Sequence, residues 1–172
     1  MKAKVAILFS VLSISGFVNA AKEPLGDIES VQVVDGVEKQ KIYTASKMWI
    51  ADQFKSAQDV IQFDDKESGT IIAKGIAEFP CTGMWCLAMK DYWLRFTIRI
   101  DTKDGKFKTL YSDLIQEQKP SASVGQFAVK MPPMKIYVER DKNNVSKFVD
   151  GMNASLKDYV IKNATVSQSA DW

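Results

Sequence analysis

Ten residues, FPCTGMWCLA at positions 79–88, contain both cysteines of the chain, with Trp85 directly before the second. Thiols at such spacing have three chemical uses: dithiol exchange, metal ligation or a structural bridge. Exchange catalysts place two residues between their cysteines and acidify one thiol at a helix N-terminus. Here four residues separate Cys81 from Cys86, and no helix start is read beside them. Zinc needs about four ligands, yet the chain has no third cysteine and no histidine. A small even number of cysteines in an exported chain favours a disulfide. Cys81–Cys86 is therefore expected to be a structural disulfide, worth about 2 kcal/mol for so short a loop. Trp85 then sits at a pinned tip, where it either folds back onto the core or faces a partner.

The missing histidine reaches further. It removes the commonest general base and the Ser-His and Cys-His nucleophile pairs. No catalytic residue, metal ligand or cofactor is assigned. A small envelope enzyme, either a thiol redox catalyst or a carboxylate-dependent hydrolase, is the alternative to a binding protein. Asp64, Asp65 and Glu67 form an acidic cluster without the alternating ligands of a calcium loop, and they read as a solvated turn. Asn144, Asn153 and Asn163 each start a glycosylation pattern, read as coincidence in a chain of bacterial character.

A second candidate surface comes from alternation. In YWLRFTIRID, residues 92–101, Tyr92, Leu94, Phe96, Ile98 and Ile100 share one face of a strand, and Trp93, Arg95, Thr97 and Arg99 share the other. The outer set is expected to lie beside Lys74 and Glu78 on one neighbour and Lys106 and Lys108 on the other. Tryptophan and arginine are enriched in binding hot spots, although a solvated face laced with ion pairs is the commoner use of such residues. Trp85, Trp93, Arg95, Arg99 and Lys74 are the binding candidates.

The frame that must position them follows a simple order. Lys2 and Lys4, the apolar run Val5–Val18 and the small-x-small ending Val18-Asn19-Ala20 predict an export signal over 1–20. The apolar run is too short to span a bilayer, so no stable membrane insertion is expected after cleavage. Removing Lys2 and Lys4 from the 23 basic residues leaves 21, equal to the 21 acidic ones. That balance and export both argue against nucleic acid as a partner. An envelope protein or small ligand is expected instead, in the periplasm or outside the cell.

After a short mature segment at 21–27, Ile28–Val34 alternates as a strand. Asp35 and Glu38 have capping-box spacing, and a helix is predicted from there to about Gln58. Asp59–Phe63 leads into the acidic turn, and Thr70–Phe79 is the next strand. Tyr92–Asp101 and Lys106–Leu114 are joined by the Asp104-Gly105 hairpin turn. Residues 116–133 read as a surface excursion with a short strand near Phe127–Lys130. Asn144–Lys162 is an amphipathic helix, and 163–172 a loose tail. This is one α+β domain over 28–162, its two helices on one face of a twisted antiparallel sheet and its other face open.

The run ASKMWIADQFKSAQDVIQFDDKESGTIIAKG at 45–75 and LRFTIRIDTKDGKFKTLYSD at 94–113 carry a resemblance. They resemble the exported bacterial family catalogued as a domain of unknown function with a TBP-like fold. The resemblance spans roughly 28–162 and implies the same strand, helix, meander, helix order. It implies no activity, cofactor or catalytic residue. The Cys81–Cys86 extension and the Pro-rich 116–133 segment depart from the family pattern.

Overall fold

A computed structural model describes residues 22–54, 60–120 and 131–166. The expected export signal, residues 55–58, the short strand at 127–130 and the last residues of the tail lie outside them. The first helix, expected to reach about Gln58, ends at Gln53 with Phe54 in extended backbone.

Strand β1, Ile28–Val33, turns through Asp35-Gly36 into helix α1, Lys39–Gln53. The expected capping box is not formed. Glu38 takes the N-cap position without a side-chain hydrogen bond. The Lys39 N–H instead donates to Asp104 Oδ1 at 2.7 Å, so the cap comes from a hairpin distant in sequence. Gly36, at φ 76°, completes the turn and leaves Asp35 outside the helix.

Strand β2, Ile61–Asp65, pairs antiparallel with β3, Thr70–Glu78. Residues 61–63 thus form a strand where a lead-in to the acidic turn is expected. Its alternation is broken by a bulge between Ile61 and Phe63, which hides the period of two. A short helix α2, Trp85–Met89, lies between β3 and β4, Tyr92–Lys103. The segment is thus helical where an irregular tip was expected, and Cys86 stands in its first turn. Strand β5, Lys106–Gln118, runs four residues past the expected end at Leu114. Strand β6, Met134–Lys135, pairs with its far end, and helix α3, Glu139–Val166, begins five residues before the expected start at Asn144.

The sheet order is β1-β5-β4-β3-β2, every pair antiparallel, with β6 on β5. Alternate positions bury Ile71 and Ala73, Leu94, Phe96, Ile98 and Ile100, and Phe107 and Tyr111 against Ile42, Trp49 and Ile50 of α1 and Val145, Val149 and Leu156 of α3. Both long helices therefore cover one face, as the apolar stripes require. Gly75 admits the closest approach: a Cβ there would lie 2.3 Å from the Phe96 ring. The rings of Trp49, Phe54, Phe96 and Phe148 follow one another edge-on or tilted at 5.9–6.4 Å between centroids. Polar ties fix the layers. Trp49 Nε1 donates to Ser155 Oγ at 3.1 Å, and Thr109 Oγ1 to Asn153 Oδ1 at 2.8 Å. Asn144 and Asn153 are buried, which removes two of the three glycosylation patterns from the surface. Among the described residues no helix is long and apolar enough to cross a membrane.

Candidate binding face

Cys81 and Cys86 form a disulfide with Cα atoms 5.2 Å apart. It ties the chain leaving β3 to the first turn of α2 and so sets where Trp85 points. The indole folds inward: Nε1 donates to Asp141 Oδ1 at 3.0 Å, and the Arg140 guanidinium lies 3.8 Å from the ring centroid. Trp85 thus packs on the start of α3 and is not the exposed group of the tip. Met84 and Leu87, 87% and 72% exposed, take that place. Arg140 and Asp141 lie in the polar stretch ERDKNN, where no apolar periodicity marks the start of α3.

The open sheet face carries the other candidates. Opposite Trp93 stand Glu78 on β3 and Glu117 on β5; opposite Arg95 stand Ile76 and Ile115. The expected neighbours Lys106 and Lys108 lie further along, opposite Lys103 and Asp101. The cause is the length of β5 and a bulge between Arg95 and Thr97, where Asp113 adopts φ 52°. Aspartate tolerates this left-handed backbone better than most residues. The bulge turns Asp113 to accept from Thr97 Oγ1 at 3.0 Å, and Arg95 Nη1 donates to Glu117 Oε2 at 2.7 Å.

Lys74, Ile76, Trp93, Arg95, Thr97, Asp113, Ile115 and Glu117 line one open concavity, to which Phe54 and Val60 also contribute. Lys74, opposite Thr97, makes no ion pair among the described residues. Two cations, two anions, an indole and two branched apolar side chains thus share one surface. Such a set can bind a ligand with alternating polar and apolar character.

Arg99 does not join them. It points to Asp101, which its Nε reaches at 2.9 and 3.0 Å. Burial pushes the Asp101 carboxyl up, but hydrogen bonds from Arg99 and Thr70 and the charges of Arg99 and Lys108 outweigh it and hold the carboxyl below its ordinary range. Of the five sequence candidates, the structure gathers Lys74, Trp93 and Arg95, and sets Arg99 and Trp85 elsewhere. Asp113, Ile115 and Glu117 were missed. The alternation Ile115-Gln116-Glu117 was the available signal, masked by the one-residue slip at the bulge.

The acidic turn is occupied by its own chain. Asp64 accepts from the Tyr43 hydroxyl and the Lys47 ammonium, and Asp65 from the N–H groups of Glu67 and Ser68. Hydrogen bonds from Ser68 and from the Glu67 N–H hold the Asp65 carboxyl below its ordinary range. Tyr111 is a core residue whose hydroxyl is pushed well up by burial, which suits packing and not proton transfer near neutral pH.

An antiparallel sheet with two long helices on one face, and no described helix on the other, fits the TBP-like class of α+β proteins. The chain belongs to the family described as a domain of unknown function (DUF4468) with TBP-like fold, whose model matches residues 29–115. Its fold is similar to the crystal structure of a TBP-like protein from Parabacteroides distasonis, with TM-score 0.60 and 15% identity over 80% of this chain and 93% of that one. A DUF4468 family protein from Bacteroides ovatus aligns with TM-score 0.45 and 14% identity over 84% of this chain and 86% of that one. No curated protein matches the sequence. The disulfide is of the kind that persists in oxidising compartments.

Proposed function

We propose that the protein is an exported, non-catalytic binding module whose ligand lies on the open sheet face, in the concavity of Lys74, Trp93 and Arg95. The carrying observation is that exposed Ile76 and half-buried Trp93 and Ile115 line one concavity beside Lys74 and Arg95, whose positions are fixed by strand register. An apolar platform fringed by a few placed polar groups is the usual make-up of a recognition site. Arg95 is held by Glu117 on one nitrogen, which pre-orients the guanidinium and leaves its other donors to a ligand. The ligand class is an envelope protein segment or a small polar molecule. Export is supported by the N-terminal leader pattern and the disulfide.

Titrating isotope-labelled protein with fractionated cell-envelope extract tests this reading. Resonances of Lys74, Ile76, Trp93, Arg95 and Thr97 are expected to shift together while those of α1 and α3 stay still. Shifts confined to the helical face, or none with any fraction, contradict it.

A further inference from the structure

Beyond Leu94 the helix-covered face of the sheet runs into a group of thioethers. Gln116 stands opposite buried Leu94, and Gln118 opposite Tyr92. Both glutamines therefore lie on that face, about 7 Å apart along β5. Three methionines from three different segments meet this pair. Met89, the last residue of α2, places its Sδ 3.9 Å from Gln116 Nε2. Met134 of β6 is the register partner of Gln116 and so shares its face. The Met131 N–H donates to Gln118 Oε1 at 3.0 Å, and its Sδ lies 3.6 Å from the Tyr92 hydroxyl. Two of the three sulfurs thus turn lone pairs toward polar hydrogens, whereas a thioether that only fills a core meets carbon. Gln116 and Met134 also line a cavity of about 390 Å³ that Asp141 borders. Asp141 is 4% exposed, and its nearest cation, Arg140 Nε, stands 3.5 Å away.

We propose that Met89, Met131 and Met134 bind one copper(I) ion at this place. Thioethers are soft donors, and softness is what selects copper(I) over zinc, magnesium or calcium. The chain has no histidine, and both cysteines are held in the disulfide, so neither imidazole nor thiolate competes for the ion. Among the described residues no three His, Cys, Asp or Glu side chains gather to hold a metal, so a harder ion finds no comparable set. A methionine sulfur is a weak hydrogen-bond acceptor, and the contacts to Gln116 and Tyr92 are long, so an ion displaces them at little cost. Three rotatable bonds let each sulfur swing toward a shared centre. The buried Asp141 carboxylate, across the same cavity from Met134, offsets the single positive charge that arrives. The site lies on the helix-covered face and uses none of Lys74, Trp93 or Arg95, so it stands apart from the proposed binding activity and each can fail alone.

Purified protein labelled at the methionine methyl groups, titrated without oxygen with copper(I) and in parallel with silver(I), tests the site by nuclear magnetic resonance. The signals of Met89, Met131 and Met134 are expected to shift together and to saturate at a single equivalent, while those of Met48, Met84 and Met152 stay in place. Zinc(II) is expected to move none of them. Competition against a chromogenic copper(I) chelator then measures affinity. M131L and M134L replace partly exposed side chains, so folding is spared. Each is expected to weaken binding by at least about tenfold, the loss that removing even an outer-shell partner of a metal causes. Absence of a saturable shift overturns the proposal, as does a shift shared equally by exposed Met48 and Met84. Leucine variants that hold copper(I) as tightly as wild type overturn it too.

Discussion

Trp85 Nε1 lies 3.0 Å from Asp141 Oδ1, joining the disulfide-bonded segment to the first turn of α3 across 56 residues of sequence. Asp141 is 4% exposed, so its carboxylate depends on that donor and on Arg140. W85F retains the ring and removes the donor. It is expected to destabilise the fold by about 1–3 kcal/mol, the cost of leaving a buried acceptor unpaired. Urea unfolding checks this, and W85A should cost more than W85F because packing is lost as well.

The disulfide acts on the same corner. Replacing both cysteines by serine is expected to cost about 2 kcal/mol, since only a short loop is opened. Combined with W85F, the loss should be less than additive, because the bridge and the indole serve one attachment. A double-mutant cycle in urea measures the coupling.

Much of this frame was legible in the sequence, and the failures share a physical cause. Ile71/Ala73 and Leu94/Phe96/Ile98 alternate without interruption, so both strands and their buried faces could be read directly. β2 and the far half of β5 could not, because each contains a bulge that shifts the period by one residue. The cap of α1 comes from Asp104, 65 residues away, which no local pattern reveals. Lys74, Trp93 and Arg95 were found because they share a face of regular strands. Glu117 and Asp113 were lost to the bulge, and Arg140 and Asp141 to a polar stretch whose order is set by Trp85.

Gly75 tests the packing beneath the concavity. G75A places a methyl group 2.3–2.5 Å from the Phe96 ring and 3.0 Å from that of Phe54. Overpacking of this kind costs about 1–3 kcal/mol. Thermal unfolding should show a lower midpoint, and the near-ultraviolet circular dichroism of the aromatic row should change with it.

Asp101 gives the fold an acid-sensitive tie. Its carboxyl is held below the ordinary range when folded, so its ionised form contributes stability at pH values above about 4, the ordinary aspartate value. That contribution falls away as pH drops through the lowered folded value. D101N is expected to be less stable than wild type at neutral pH and to converge on it in strong acid. Urea midpoints across a pH series check the convergence; a difference independent of pH would contradict it.

The open face at Trp93 is the centre of the account. A photoreactive aromatic residue placed at Trp93 and, as control, at exposed Asp158 on α3 can be activated in living cells. The expected result is a discrete adduct from Trp93 that is lost in the R95A background, with none from Asp158. Equal capture from both positions, or capture from Trp93 unaffected by R95A, would contradict a binding site on this face.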